Sequence, residues 1–391
     1  MASAIMPTYA PADIAFEQGE GIYLTSTEGK RYLDFATGIA VSALGHAHPH
    51  LVKAIQEQAA KVMHYSNLYR IPGQEHLAQR LVDHSFASSV FFCNSGAEAV
   101  EAGIKIIRRY YSENGNPEKY RIITCSGGFH GRTLATLSAA KNEKHMAGFL
   151  PMLDGFDQVT FGNLNEMRSA ITDETAGILV EPIQGEGGIN SAEPEYFRQL
   201  RETANEFGIL LFIDEVQTGI GRTGKLFAHE WAEIEPDIVA VAKGLGGGFP
   251  IGACLANSKT TATMAPGTHG STFGGNPMAA AAANAVLDIV LSDGFLEHVQ
   301  QTGIYLTRQL KNIADKHDFL GEVRGKGLLV GIVCDNSVVN VNIVKACENT
   351  GLLTVPAGGN VIRIIPPLII TEAEIDEGLE LFDQACLAVR G

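Results

Sequence analysis

Six short apolar runs constrain this chain more than any other feature. They fall at residues 89–93, 121–125, 177–181, 209–214, 237–242 and 251–255. Each is too short for a typical helix and is apolar nearly throughout, as a strand buried on both faces must be. Helical patterns lie between them. Residues 95–111 put Val100, Ile104, Ile107 and Tyr111 on one stripe, and 194–207 form a second candidate. Alternating strand and helix predicts an α/β fold, with a mostly parallel sheet covered by helices. Ligands of such sheets bind at the carboxyl ends of the strands.

The rhythm changes after Pro277. An Ala-rich helix at 278–291 is followed by a helix at 295–317, a strand at 328–334, a helix at 339–350, a strand at 361–365 and a terminal helix from about Glu372. These predict a smaller α/β unit. Near the start, Tyr23 and Leu24 face residues 32–35 across the turn Glu28-Gly29-Lys30, a hairpin pattern. Three parts are expected over the 391 residues: an N-terminal hairpin-and-helix segment at 1–60 packing with the small unit, a large ligand-binding unit at 61–275, and the small unit at 276–391.

Charge narrows the partners. With 29 basic and 44 acidic side chains the net charge is −15, which opposes nucleic acid and anionic membrane surfaces. The six cysteines include no C-x-x-C pair, so neither a zinc site nor a disulfide framework is expected. Residues 1–20 carry Asp13, Glu17 and Glu20 and no apolar stretch of the kind a signal peptide needs. No run of about 18 apolar residues predicts a membrane span. His46, His48 and His50 are metal-ligand types, but the Gly45-His46-Ala47-His48-Pro49 setting reads as a loop before a helix. Trp231, the single tryptophan, reads as a packing residue.

Four segments carry chemistry. In Asn94-Ser95-Gly96-Ala97-Glu98 a strand gives way to a helix, with Ser95 and Glu98 in capping-box spacing. It is either an ordinary capped helix or a phosphate cradle of free N–H groups. In Ile213-Asp214-Glu215-Val216-Gln217 a buried strand runs into two carboxylates, which either meet solvent or serve a ligand. Lys243 ends another strand before Gly244-Leu245-Gly246-Gly247-Gly248, and a desolvated lysine there becomes a nucleophile. Gly270-Ser271-Thr272-Phe273-Gly274-Gly275-Asn276-Pro277 offers hydroxyls before a helix, as a cap or a phosphate site. Gly219-Ile220-Gly221-Arg222-Thr223-Gly224 has dinucleotide-fingerprint spacing, but it does not directly follow a strand and leaves little room for a crossover helix. Together, an anion cradle, a strand-end acid, a strand-end lysine and a hydroxyl loop are what a phosphorylated aldehyde cofactor requires.

These residues, with Phe129-His130-Gly131-Arg132-Thr133, resemble the class III aminotransferases of the pyridoxal 5'-phosphate (PLP) fold type I group, from near Phe16 to the C-terminus. The branch most similar acts on N2-acetylornithine. The resemblance implies that Lys243 carries the cofactor and that Asp214 pairs with its ring nitrogen. Gln217 would meet the ring hydroxyl, Phe129 the ring face, and Gly96 and Ala97 the phosphate, with Glu215 and Val216 in the same cofactor-binding segment. Arg132 would hold the substrate carboxylate far from the amine. Arg363 would grip 2-oxoglutarate, with Glu186 as the gate acid that pairs with it. Thr272 would reach the partner's cofactor and Ser271 the substrate, which implies a homodimer with active sites at the subunit interface.

The resemblance implies a cytoplasmic enzyme of arginine biosynthesis moving the terminal amine of N2-acetylornithine to 2-oxoglutarate. Ornithine, succinylornithine and 4-aminobutyrate are alternative donors. An aminomutase on the same scaffold would need no external acceptor.

Overall fold

The computed structural model describes residues 4–390, so the first three residues of the segment expected at 1–60 and the last of the unit expected at 276–391 lie outside the described residues. A seven-stranded sheet organises the chain. Across it the strands run Ser89–Cys93, Gly252–Ala256, Ile238–Val241, Leu210–Asp214, Thr175–Val180, Arg121–Cys125 and Phe156–Val159. Only Gly252–Ala256 runs against the rest, antiparallel to both neighbours. That reversal brings the start of this strand to the edge where its neighbours end.

The strand Leu210–Asp214 is wholly buried, which is why it reads as an unbroken apolar run. The helix Gly96–Glu113 lies on one face of the sheet through Ala99, Val100, Ile104, Ile107 and Tyr111. Gly103 makes this approach possible, because a Cβ there would lie 2.3 Å from the Phe212 ring. The opposite face is covered by Pro194–Glu206 and by the Ala-rich helix Pro277–Val290, whose buried side chains share one cluster with the sheet.

A second sheet is antiparallel, in the order Leu320–Lys326, Leu329–Cys334, Val361–Ile364, Val355–Ala357. The helices Phe295–Ala314, Asn340–Thr350 and Glu372–Arg390 cover it. Three N-terminal strands, Phe16–Glu20, Tyr23–Ser26 and Arg31–Asp34, form a third sheet that is completed by Leu352–Leu353. The expected hairpin is therefore part of a three-stranded meander. Sequence patterning also passes over Phe156–Val159 and Leu320–Lys326. The latter carries Gly321, Glu322, Arg324, Gly325 and Lys326 on a half-exposed edge, so no apolar period marks it. Among the described residues, no single helix is long and apolar enough to cross a membrane.

Candidate active site

The carboxyl edge of the large sheet opens into a cavity of about 440 Å³. Its wall includes Ser95, Gly96, Ala97, Phe129, Arg132, Glu186, Asp214, Val216, Gln217 and Lys243, so most of the residues singled out in the sequence meet here.

Lys243 follows the strand Ile238–Val241 and opens a tight 3-10 turn with φ 42°, the left-handed region that a residue with a Cβ rarely adopts. The following glycines let the turn close; Gly247 has φ 59°. Burial pushes the Lys243 amine down to about 8, against the pull of Glu186, Glu181 and Asp214.

Asp214 is 3 % exposed and held from two sides. Its Oδ2 meets His130 Nδ1 at 2.8 Å, and its Oδ1 accepts from the Val216 N–H at 3.0 Å. Burial works against a charged His130, but the Asp214 bond and the Asp214 and Glu181 charges prevail and raise its pKa. Glu181, just past the strand Thr175–Val180, is also buried beside the cavity and accepts from the Phe129 N–H at 2.9 Å. Burial raises its carboxyl to about 8, assisted by Asp214 and opposed chiefly by His130. Sequence reasoning missed both groups. His130 stands inside the Phe129-His130-Gly131-Arg132 motif, and Glu181 ends an apolar run just as Asp214 does, so the signal used for Asp214 applied to it too.

The helix Gly96–Glu113 begins at the cavity. Ser95 caps it, its hydroxyl accepting from the Glu98 N–H at 3.2 Å, while Glu98 reaches back to the Asn94 N–H at 2.6 Å. The Gly96 and Ala97 N–H groups precede the first intrahelical bond and remain free for an anion. Gly96 has a packing role as well. A Cβ there would lie 2.6 Å from Val216 Cγ1, so the glycine makes room for a neighbouring side chain.

Glu186, half-buried, and Arg363, buried, form a two-bond pair. Arg363 is 1 % exposed on the strand Val361–Ile364, with Nη2 donating to Glu186 Oε2 at 3.0 Å and Nη1 donating to Glu186 Oε1. Burial alone would raise the Glu186 carboxyl, but Arg363 holds it below the usual range. Glu186 lines the cavity and Arg363 stands behind it. Arg132 is exposed at the wall, its Nη2 3.1 Å from His145 Nε2.

Three expected residues lie elsewhere. The Glu215 side chain is turned from the cavity and wholly satisfied, accepting from Thr218 Oγ1 and from the Ala228 and His229 N–H groups, each at 2.8 Å. A strand-end pair points its members to opposite sides, so only Asp214 reaches the ligand edge. Ser271 lies outside this cavity and accepts from Asn94 Nδ2 at 3.1 Å. Thr272 beside it is exposed. His46 and His50 pair with separate acids, Asp34 at 2.8 Å and Asp288 at 2.7 Å.

The donor set suits PLP. The cavity presents a low-pKa amine, a fixed carboxylate and free N–H groups at a helix start. The buried Gln217 Oε1, which has no hydrogen-bond partner among the described residues, is left for a ligand hydroxyl.

A family model for class-III aminotransferases matches residues 5–386. "Acetylornithine aminotransferase 1" of Bradyrhizobium diazoefficiens is 55% identical over 386 residues, covering 98% of this chain and 95% of the relative. The crystal structure of N-acetylornithine aminotransferase from Stenotrophomonas maltophilia superposes with TM-score 0.86 at 38% identity, covering 97% of each chain. The ornithine aminotransferase of Toxoplasma gondii, crystallised with oxidised glutathione and showing partial occupancy of PLP at its active site, superposes with TM-score 0.94 at 30% identity, over 99% of this chain and 93% of that one.

Proposed function

The chain belongs to the class-III aminotransferases, and on that premise we propose that it transfers the terminal amino group of N2-acetyl-L-ornithine to 2-oxoglutarate. The products are N-acetylglutamate 5-semialdehyde and glutamate, and the reaction belongs to arginine biosynthesis. The observation that carries this reading is the 55% identity, over nearly the full length of both chains, to a curated acetylornithine aminotransferase.

Bound PLP supplies an aldehyde carbon that takes up an amino group and a protonated ring that accepts electrons when the neighbouring C–H bond breaks. Lys243 would hold the aldehyde carbon. An amine titrating near 8 is neutral in a usable fraction at physiological pH, both as nucleophile and as the base that removes the substrate proton and returns it. Asp214, fixed by His130 and the Val216 N–H, would keep the ring nitrogen protonated. The Gly96 and Ala97 N–H groups would hold the phosphate, Gln217 the ring hydroxyl and Phe129 the ring face. Glu215 would act only by bracing the turn after Asp214.

Arg132 would hold the substrate carboxylate remote from the amine. Arg363 would bind the α-carboxylate of 2-oxoglutarate through a two-bond fork once Glu186 turns aside, and would stay paired with Glu186 while the amine donor is bound. One site then takes two substrates of different charge in turn.

Thr272 and Ser271 would serve a partner chain's site in a homodimer. Thr272 is exposed and lies outside its own chain's cavity, which supports that reading. So does the apolar surface that adjoins this loop. Asn67 donates to the Ser271 and Gly274 carbonyls, and Leu68, Tyr69 and Phe273 are 84%, 69% and 57% exposed. Six unpaired cysteines suit the reducing cytoplasm, where we place the enzyme.

Absorbance spectroscopy tests the assignment. The purified protein should carry a visible cofactor band that collapses on adding N2-acetylornithine and returns with 2-oxoglutarate. A band indifferent to acetylornithine but responsive to another ω-amine would overturn the substrate. A protein that never acquires the band with added PLP would overturn the cofactor.

A further inference from the structure

Away from the catalytic pocket, a second cavity of about 710 Å³ lies where the helix Phe295–Ala314 meets the Trp231 segment and the turn after Leu320–Lys326. Its volume is that of a small-molecule site. Close backbone contacts build its walls. A Cβ on Gly303 would lie 2.4 Å from the Gly327 carbonyl, and one on Gly327 would lie 2.6 Å from the backbone of Thr223. Gln300 ties the helix to the same loop, donating to the Gly224 carbonyl at 2.6 Å. The helix and the loop that wall the cavity are therefore pinned together by packed main chain.

Its charge is opposite to that of the molecule. The chain carries a net −15, yet Arg308, Lys311 and Lys326 line this cavity and no carboxylate does. Arg308 and Lys311 are three apart on one helix and share a face. Lys326 Nζ lies 3.8 Å from the Trp231 ring centroid, and Lys225 approaches the same ring at 5.4 Å. Among the described residues none of these four cations is in an ion pair. Burial lowers the Lys326 pKa against the weaker pull of Glu193, which does not close an ion pair with it. Cations gathered against one another in a preformed cavity are stabilised by an anion that bridges them.

We propose that this cavity is a binding site for a small organic polyanion, a molecule carrying two or more carboxylate or phosphate groups, distinct from the catalytic pocket. Arg308 and Lys311 take one group and Lys326 another. Trp231 and the apolar wall hold the carbon frame between them. The ligand would bridge the Trp231 segment and the helix Phe295–Ala314.

Trp231 is the only tryptophan, so all tryptophan emission comes from the ring that walls this cavity and the smaller one adjoining it. The holoenzyme is titrated with citrate and, separately, with pyrophosphate, at ionic strength held constant with sodium chloride. The expected result is a saturable change in emission with at least one of them, and which one responds separates carboxylate from phosphate ligands. In the double variant Arg308→Gln/Lys311→Gln the midpoint should move about tenfold or more to higher concentration, the loss of a charge-assisted contact. Both side chains are exposed, and an unchanged thermal melt will verify the variant's fold. No saturable response to either probe would overturn the proposal. So would a response that sodium chloride alone reproduces, or one whose midpoint the double variant leaves unchanged.

Discussion

Lys243 shows how a single position couples backbone, burial and chemistry. It sits at φ 42° because the strand must end abruptly at the cavity, and its amine is driven down to about 8 by the same enclosure. Lys243→Ala should lower transamination by at least about 1,000-fold, the scale of a lost general base and nucleophile; single-turnover assays with each substrate would expose any residual route. The protonation state gives a second check. A lysine with a lowered pKa is cationic below that value and neutral above it. The rate at which PLP-free protein captures PLP should therefore rise about tenfold per pH unit below 8 and flatten above it. A rate still climbing at pH 10 would mean an unperturbed amine. Arg363 gives a third. Arg363→Gln loses the two-bond fork, so the KM for 2-oxoglutarate should rise about 10- to 100-fold. The KM for acetylornithine, whose carboxylate is proposed to rest on Arg132, should change by no more than a few-fold. Equal losses for both substrates would reject the division of labour between the two arginines.

The element that matters most is the helix Gly96–Glu113, whose start is the proposed anion cradle and whose body rests on the sheet. It is positioned by a missing side chain. With the Phe212 ring 2.3 Å from where a Cβ would stand, Gly103→Ala should overpack the interface and cost about 1–3 kcal/mol, read as a lower denaturant midpoint. Wild-type stability in this variant would show that the helix can lift without penalty. The sequence displayed the helix clearly, through its apolar stripe and its Ser95 cap, but gave no indication that Gly96 and Gly103 serve neighbouring Val216 and Phe212. Those contacts join segments more than a hundred residues apart and have no local pattern. The strand Leu320–Lys326 was illegible for a related reason. Its place in a sheet is decided by pairing with Leu329–Cys334, and its own residues are mostly glycine and charge.

At the scale of the molecule, the proposed homodimer makes a genetic prediction. Chains carrying Lys243→Ala and chains carrying Thr272→Glu should each be inactive. If Thr272 serves the partner's site, random reassociation should rebuild one intact site per mixed dimer, recovering roughly a quarter of wild-type activity. No recovery on mixing, with the dimers shown to exchange by mass, would confine Thr272 to its own chain. The sheets also explain how the two arginine sites come to differ. Arg132 belongs to a loop after the large sheet's strand Arg121–Cys125, while Arg363 lies within the antiparallel sheet and meets the cavity wall through Glu186.

By itself the sequence determined the fold class and the cofactor chemistry. Unbroken apolar runs must be buried on both faces, and residues at their ends face the ligand edge, so Lys243, Asp214 and Gly96–Ala97 stood out as candidates, ambiguous singly and pointed only in combination. Only the tertiary structure decided which groups act together. It turned Glu215 away from the cavity, set His130 and Glu181 around Asp214, and laid Glu186 over Arg363 across 177 residues of chain. It also gathered Arg308, Lys311 and Lys326 beside Trp231. The reason is physical. Periodicity records which side of an element is buried, whereas hydrogen bonds and charge pairs between distant segments depend on distances that exist only after the sheets have packed.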